Sequence, residues 1–275
     1  MKTTVFLLLF SAQVVAQYHT RLEPATIEVH YHHTMQRDTV RRLATETDSM
    51  ILRIGASASQ FFSRHTFYYD SLWNDPDGRA KAEALTLEAF RTCDHSKEPR
   101  VGTTYDYLYK NYPAGRVTTT NEQFHVACRY DEATPSISWE MADSVRTILS
   151  HPCRMATADF RGRRWTAWFA TDIPVSDGPW KLGGLPGLIL EAYDEGQQHV
   201  FTAVGLEWVK DELIIFNRPF RGNHRFEQTN RLEFLRMERR FLMDSNSFIQ
   251  METGIDLLGD EPNRVMRYDL LERDY

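Results

Sequence analysis

The chain has 275 residues, of which 42% are hydrophobic and 12% aromatic, a composition that allows a sizeable core. Its 38 acidic residues outnumber 32 basic ones, and the formal net charge at pH 7 is −6. This balance argues against a nucleic-acid partner, because nucleic-acid-binding proteins present basic patches to phosphates. No low-complexity linker divides the sequence, so we expect a single domain over residues 17–275.

The amino terminus has the pattern of a secretory signal peptide. Lys2 precedes an apolar run, residues 5–10, and small or neutral residues then lead to Ala16. The run is too short to span a bilayer as a stable helix. No cysteine that could carry a lipid follows it, since the first is Cys93. We therefore expect cleavage near Ala16, and a periplasmic or secreted protein whose mature chain has no transmembrane span.

Three cysteines, Cys93, Cys128 and Cys153, allow at most one internal disulfide in an oxidising compartment. Cys128 and Cys153 both fall in predicted strands, so this pair is the preferred disulfide. The alternative is three buried, reduced thiols.

Alternating apolar positions with β-branched and aromatic residues predict strands at 26–33, 49–54 and 60–69. Helix-forming residues then predict a helix at 79–91, with Asp77 as its cap. The acidic stretch just before it resembles a calcium loop. However, Trp73 and Ala84 stand where the first and last calcium ligands would be, so a turn that starts a helix explains the stretch better.

Short strands at 103–109, 115–119, 124–130 and 136–141 predict a meander. Two further strands, at 153–160 and 163–171, flank Arg161-Gly162, which is typical of a hairpin turn. In the second of these strands Arg163 and Trp165 share one face and Trp168 lies on the other. We therefore expect both faces of this strand to be covered.

Residues 184–189 read GLPGLI, the most informative run of the chain. The run fits a type II turn, in which Pro186 presets φ at the second position and Gly187 supplies the positive φ required at the third. With Asp172-Ile173-Pro174, Gly178-Pro179-Trp180 and Gly183, it closely resembles the signature of the GLPGLI family of exported bacterial proteins. This resemblance implies a GLPGLI-family domain over residues 17–275, and it carries no established activity.

Strands at 188–193 and 200–209 are predicted to pair around an acidic glycine turn. Val200, Val204, Leu206 and Trp208 are expected to share the core face of the second strand. After Asn223, apolar residues at helical spacing predict an amphipathic helix that covers one side of the sheet. The tail from Gly254 is predicted to be irregular.

About ten antiparallel strands and two helices predict an α+β, mainly β protein. We expect a curved antiparallel sheet or half-open barrel covered by one or two helices. By fold-level analogy with periplasmic lipoprotein carriers, its concave face is a place for a lipid-like ligand.

Cationic and aromatic side chains near the GLPGLI run form the predicted ligand site, which consists of Arg163, Trp165, Trp168, Trp180 and Lys181. Residues 174–187 are its expected boundary. The alternative is that the tryptophans fill the core and the arginines lie over them. An apolar cavity lined by Trp165 or Trp168 would favour a small ligand, whereas an exposed patch of arginine and tryptophan would favour a protein partner.

His30 and His32 form the predicted metal site, because a strand puts both imidazoles on one face at a spacing that zinc or copper can share. Such a site needs a further ligand, and histidines that are solvent-facing or singly packed are the alternative.

Catalytic motifs such as H-E-x-x-H, G-x-S-x-G, a phosphate-binding glycine loop and C-x-x-C are absent from the sequence. The sequence therefore favours an exported, non-enzymatic binding module of the bacterial cell envelope. Its expected ligand is a hydrophobic or lipid-like molecule, a peptide or an envelope protein. The alternative is a metal-dependent enzyme or metal-handling protein that uses His30 and His32. No cofactor is assigned.

Overall fold

The computed structural model describes residues 19–36, 38, 45–122, 127–217, 219, 225–256 and 269–275. This part of the chain contains fourteen strands and four helices, and the protein is mainly β, as predicted. The predicted signal peptide, residues 1–16, lies outside the described residues.

The strands are β1 (His19–Pro24), β2 (Ile27–Met35), β3 (Glu46–Ile54), β4 (Ser59–Ser63), β5 (Tyr107–Lys110), β6 (Arg116–Asn121), β7 (Cys128–Ala133), β8 (Glu140–Ile148), β9 (His151–Phe160), β10 (Arg163–Ala170), β11 (Leu188–Asp194), β12 (His199–Trp208), β13 (Leu213–Asn217) and β14 (Glu227–Gln228). The helices are α1 (Arg64–Asn74), α2 (Pro76–Thr92), α3 (Arg231–Met243) and α4 (Ser245–Thr253). None of these described helices has the length and apolarity needed to cross a membrane.

Twelve strands form one sheet in the order β14-β7-β6-β5-β4-β3-β2-β12-β11-β10-β9-β8, and β1 pairs separately with β13. Only the contact of β14 with β7 is parallel. The sheet bends until its two sides meet: Arg161, in the turn between β9 and β10, forms an ion pair with Glu132 on β7. Helix α3 packs on the same side, with the ring of Phe234 5.2 Å from that of Tyr130. The predicted curved sheet with a helical cover is confirmed.

The concave face carries the main core, because alternate residues of every strand point towards it. Val29 and Tyr31 on β2, Leu52 on β3 and Trp165 on β10 are all fully buried there. The two-stranded ribbon of β1 and β13 covers part of the outer face. There Tyr109 accepts a hydrogen bond from the backbone N of Asn217 at 3.1 Å.

Residues 171–187, between β10 and β11, cross the concave face, and we call them the plug. Lys110 on β5 fixes the plug by donating to Asp177 Oδ1 at 2.6 Å and to the carbonyl oxygens of Gly178 and Leu182 at 2.5 and 3.1 Å. Apolar plug residues such as Leu182 and Leu185 are buried in the core. The segment that contains the GLPGLI run is therefore an interior element.

Gly187 does not have the positive φ that a type II turn requires, so this prediction was wrong. The positive φ in the run belongs to Gly184, at +85°. Gly187 is needed for a different reason: a Cβ at this position would overlap the carbonyl oxygen of Ala170 at the end of β10. A glycine lets the plug approach the neighbouring backbone closely enough to start β11.

The predicted strand at 60–69 is wrong after Ser63, where α1 begins. The Ser63 side chain accepts a hydrogen bond from the backbone N of Thr66 at 3.3 Å and so caps the helix. Aromatic residues in this stretch suggested a strand, but the helix packs one of them, Phe67, against Phe62 of β4, with ring centroids 4.9 Å apart. Tertiary packing overrides local propensity here.

Helix α2 begins earlier than predicted, at Pro76, because Asp75 and not Asp77 is the cap. The Asp75 side chain accepts from Gly78 N at 2.8 Å. The interpretation of this acidic stretch as a turn that starts a helix is confirmed.

The predicted strand at 136–141 lies at 140–148 instead, as β8. This edge strand is exposed along most of its length, so its sequence lacks the alternation that marks a half-buried strand. The hairpin at Arg161-Gly162 is confirmed, with φ of +54° and +75°.

The preferred disulfide between Cys128 and Cys153 is not formed. All three cysteines lie in the described part of the chain, and no disulfide joins any two of them. Cys128 and Cys153 do lie in strands, β7 and β9, as predicted, and both side chains are buried.

Candidate functional site

A partly enclosed cavity of about 130 Å³ lies on the concave face beside the plug, and we call it the interior pocket. Strands β2 to β7 and β12, the segment before β5, the plug, helix α3 and the last residues of the chain contribute to its wall. Aromatic side chains in the wall include Phe61, Trp180 and Phe201. Its polar side chains include Asp106, Tyr130, Lys181, His199, Glu238 and Glu272.

Two histidines on neighbouring antiparallel strands meet in the pocket. His33 lies on β2 opposite Phe201 of β12, and their rings stack at 4.0 Å between centroids. Nε2 of His33 is 3.2 Å from Nδ1 of His199, the first residue of β12. The backbone N of His199 donates to Asp194 Oδ1 at 2.8 Å, which fixes the start of this strand.

The surroundings of His199 favour its neutral form. Burial lowers the pKa of His199 well below its usual range, the nearby His33, Arg163 and Arg273 lower it further, and a hydrogen bond with the backbone of Asp269 partly opposes the shift. The imidazole is therefore held between His33 and the backbone of Asp269.

Lys181 reaches the pocket wall from the plug and is held by two carboxylates. Its Nζ lies 2.5 Å from Glu132 Oε1 and 2.5 Å from Glu272 Oε1, and it donates to the hydroxyl of Tyr130 at 3.2 Å. Burial by itself lowers the pKa of Lys181, but Tyr130 and the two carboxylates outweigh that effect and raise it. The ammonium therefore stays charged and fully engaged.

The end of the chain closes one side of the pocket. As predicted for the tail, residues 269–275 contain no helix or strand, yet Leu270 and Glu272 are buried. Arg231 of α3 lies 2.5 Å from Glu272 Oε2, and Arg163 lies 3.3 Å from Asp269 Oδ1. Arginines therefore balance the carboxylates of the tail.

Asp106 and Glu238 differ from these carboxylates because neither forms an ion pair with any described residue. Asp106 accepts a hydrogen bond from the amide of Asn121 at 2.6 Å. Burial raises the pKa of Asp106, and Asn121 partly opposes this effect. Burial also raises the pKa of Glu238 well above its usual range, and the charges of Asp106 and Glu272 add to the shift. Carboxyl groups with raised pKa values in a cavity are typical of functional sites.

The structure brings two of the five predicted ligand-site residues, Trp180 and Lys181, to the pocket wall. Trp165 lies one layer behind, with its ring 5.7 Å from that of Trp180. Arg163 is also buried behind the wall, where it binds Asp194 Oδ2 at 2.8 Å.

Trp168 faces the opposite side of the sheet, under the guanidinium of Arg146 at 4.1 Å. The pocket is therefore not an apolar cavity lined by Trp165 or Trp168. Because all five predicted residues are buried, they do not form an exposed patch of arginine and tryptophan either.

His30 and His32 share the outer face of β2, as predicted, and lie away from the pocket. His30 Nε2 is 3.1 Å from Glu28 Oε1, and His32 is exposed. Within the described ranges, no group of three or more His, Cys, Asp or Glu side chains is arranged to hold a metal ion. The metal site at these two histidines stays a prediction.

Sequence reasoning missed His199 and Phe201 because it assigned the wrong face of β12 to the core. Instead of Val200 and Val204, the buried positions are His199, Phe201 and Ala203. A bulge between Ala203 and Gly205 interrupts the alternation.

The position of Glu238 in the sequence could have identified it as a candidate site residue. It stands four residues after Phe234 and four before Leu242, on the apolar stripe of the amphipathic helix, where a carboxyl group is unusual.

Comparisons with known proteins give a family match for one segment. The model of the family "Protein of unknown function (Porph_ging)" matches residues 162–191, which run from the turn before β10 through the plug into β11. No curated protein matches the chain.

Among solved structures, "Structure of PNGF-II in C2 space group" superposes with a TM-score of 0.50 at 12% identity and covers 77% of this chain. "Structure of PNGF-II in P21 space group" gives a TM-score of 0.49, also at 12% identity. The chain spans about a third of that neighbour, since 32% of the PNGF-II chain is covered in each case. At this level of identity the first likeness shows the fold alone: a β-rich protein whose sheet is similar to part of PNGF-II.

Proposed function

We propose that this chain is an exported, non-enzymatic binding protein of the bacterial cell envelope and that its ligand occupies the interior pocket. The signal-peptide pattern before Ala16 supports export. We also assign the chain to the GLPGLI family. The family match supports this assignment in part, because residues 162–191 include the whole signature from Asp172 to Ile189.

The observation that carries the binding role is a partly enclosed cavity whose wall contains two carboxyl groups, Asp106 and Glu238, that form no ion pair with any described residue. Burial raises the pKa of both groups, and carboxyl groups with raised pKa values in a cavity are candidates for functional groups.

The size and lining of the pocket indicate which part of a ligand it takes. A single water molecule needs only about 10–15 Å³ of such cavity volume, so about 130 Å³ holds a small molecule or the end group of a larger one. Its wall is mainly apolar and carries a few ionisable side chains, which suits an end group that combines an apolar stem with a polar tip. A peptide side chain or a polar head group fits this description.

The test is to identify small molecules that co-purify with the protein from envelope extract, by native mass spectrometry. We expect Leu242→Trp, which adds volume at a residue of the pocket wall on α3, to abolish the bound mass. Leu232→Trp places the same ring on the same helix at an exposed position and should retain it. An identical bound mass in both variants would reject the pocket as the ligand site.

Export has its own measurement. Amino-terminal sequencing of the protein recovered from the periplasm or medium should begin at Gln17, and an intact Met1 in the recovered protein would contradict export by cleavage.

A further inference from the structure

The arrangement of charge around the interior pocket indicates which chemical class it binds. Four carboxyl groups line the cavity: Asp106, Glu238, Asp269 and Glu272. Lys181 is the cation in the wall, and Glu132 and Glu272 already hold it. The described residues therefore leave the pocket with an excess of acidic groups.

This excess of acidic groups is confined to Asp106 and Glu238. Arg273 and Arg163 bind Asp269, and Lys181, Arg231 and Arg161 surround Glu272. Asp106 and Glu238 have no such partner among the described residues, although Asp106 accepts the amide of Asn121. A positive group in the pocket would complete the pairing that the arginines provide elsewhere.

Resting on the proposed function, we propose that the interior pocket binds the positively charged end group of an organic ligand, an alkylammonium or guanidinium, with Asp106 and Glu238 as its anionic partners.

An organic cation fits this pocket better than a metal ion does. Trp180 and Phe201 give the wall aromatic rings, which attract alkylammonium and guanidinium groups. A divalent metal needs several oxygen or nitrogen ligands converging on one point, and the described residues contain no such group of three. The volume of about 130 Å³ also leaves room for a short aliphatic stem behind the charge.

The experiment uses three probes of one length and different charge: n-butylamine, 1-butanol and butyrate. Isothermal titration calorimetry measures each against the wild type and against Asp106→Asn/Glu238→Gln, which removes both acidic groups with little change of shape. The control is Glu207→Gln/Asp211→Asn, a matched Glu and Asp pair at exposed positions. Circular dichroism checks that every variant is folded.

We expect n-butylamine to bind the wild type and the control alike and to bind Asp106→Asn/Glu238→Gln about ten- to a hundredfold more weakly, since a hydrogen bond to a charged group contributes about 1.5–3 kcal/mol. Binding should also release protons, seen as a dependence of the heat on the buffer, because the amine favours the ionised carboxylates. A purely structural role for the pair would release none. The titratable and charged side chains that face the pair are Lys181, Tyr130, His33, His199, Asp269 and Glu272.

Equal binding of n-butylamine to wild type and Asp106→Asn/Glu238→Gln, or no binding to either, would overturn the inference. Tighter binding of 1-butanol or butyrate, lost in Leu242→Trp, would also overturn it but would leave the proposed binding function standing. Magnesium or calcium binding that depends on Asp106 and Glu238 would replace the organic cation by a metal. If no probe binds and Leu242→Trp carries the same bound mass as the wild type, the proposed function itself fails.

Discussion

The plug and the interior pocket lie side by side on the concave face, but the charged groups of the plug are paired, whereas two half-buried carboxyl groups of the pocket form no ion pair with a described residue. At the plug, Lys110 and Lys181 each contact carboxylate oxygens within 2.6 Å. In the pocket, Asp106 and Glu238 have no cationic partner among the described residues, and burial raises the pKa of both. Balanced charges fix the plug in the fold, whereas the unpaired carboxyl groups are expected to lower stability, in keeping with the proposed ligand.

The largest expected effect comes from removing a cation from the plug, so that its carboxylates lose their partner as those of the pocket lack one among the described residues. Lys181→Met removes the cation between Glu132 and Glu272 and leaves two buried carboxylates facing each other. We expect a loss of about 3 kcal/mol in the free energy of unfolding, at the low end for a broken buried pair because Arg161 and Arg231 remain nearby. Urea denaturation measures it. Arg91→Met, which breaks an exposed pair with Glu88, should leave the midpoint nearly unchanged, and an equal shift in both variants would refute the comparison.

The second-largest effect is expected where the plug contacts the end of β10, at Gly187. Gly187→Ala forces a methyl group onto the carbonyl of Ala170, and we expect a loss of about 1–3 kcal/mol. Gly183→Ala is the matched control in the same segment, because its Cβ would lie 3.5 Å from the nearest atom, the carbonyl oxygen of Ser176. Thermal unfolding followed by circular dichroism separates the two. Similar melting temperatures would show that close approach at Gly187 does not constrain the plug.

Removing a carboxyl group from the pocket should raise the free energy of unfolding, in contrast to the two changes at the plug. Because the pKa of Glu238 is raised in the fold, wild-type stability decreases as pH rises above the ordinary value of 4.5 and levels off above the raised pKa. Glu238→Gln has no such loss, so we expect it to be more stable than wild type by about 1 kcal/mol at pH 7.5 and no more stable at pH 4. Denaturation curves at both pH values measure the gap. If Glu238→Gln is less stable than wild type at pH 7.5, Glu238 is not a carboxyl group that lacks a compensating cation.

His199 makes a smaller contribution to the pH dependence of stability, and its direction is opposite to that of Glu238. Its pKa is lowered in the fold, so this contribution is complete above the ordinary value of 6.5 and decreases as pH falls below it. From linkage we expect wild type to lose about 1 kcal/mol from this group at pH 6 relative to pH 8. His199→Gln should lack that loss, whereas His65→Gln, at an exposed position, should keep it. Equal losses in both variants would assign the effect to other groups.

The smallest effect is expected outside both regions, at His30 and His32. Elemental analysis of wild type and of His30→Ala/His32→Ala should give the same zinc and copper content, because His30 already contacts Glu28. Metal that is present in wild type and lost in the variant would instead support the metal-dependent alternative.

Much of the strand framework followed from the sequence. The pair of β9 and β10 around Arg161-Gly162, the strand after the GLPGLI run and the amphipathic helix α3 were all predicted, because turn residues and apolar spacing are local signals. Of the predicted ligand-site residues, Trp180 and Lys181 border the cavity, and Trp165 and Trp168 do not. Alternation along a strand does not say which face borders a cavity and which is packed solid.

By itself, the sequence determined the mainly β class, the curved antiparallel sheet and the importance of residues 184–189. Only the tertiary structure decided that Gly187 serves close approach rather than positive φ, and that His199 and not Val200 faces the interior. It alone joined Asp106, which precedes β5, to Glu238 on α3. The physical reason is distance along the chain: Asp106 and Glu238 stand 132 residues apart, and local sequence does not specify which distant segments give a carboxyl group its burial and its charged neighbours.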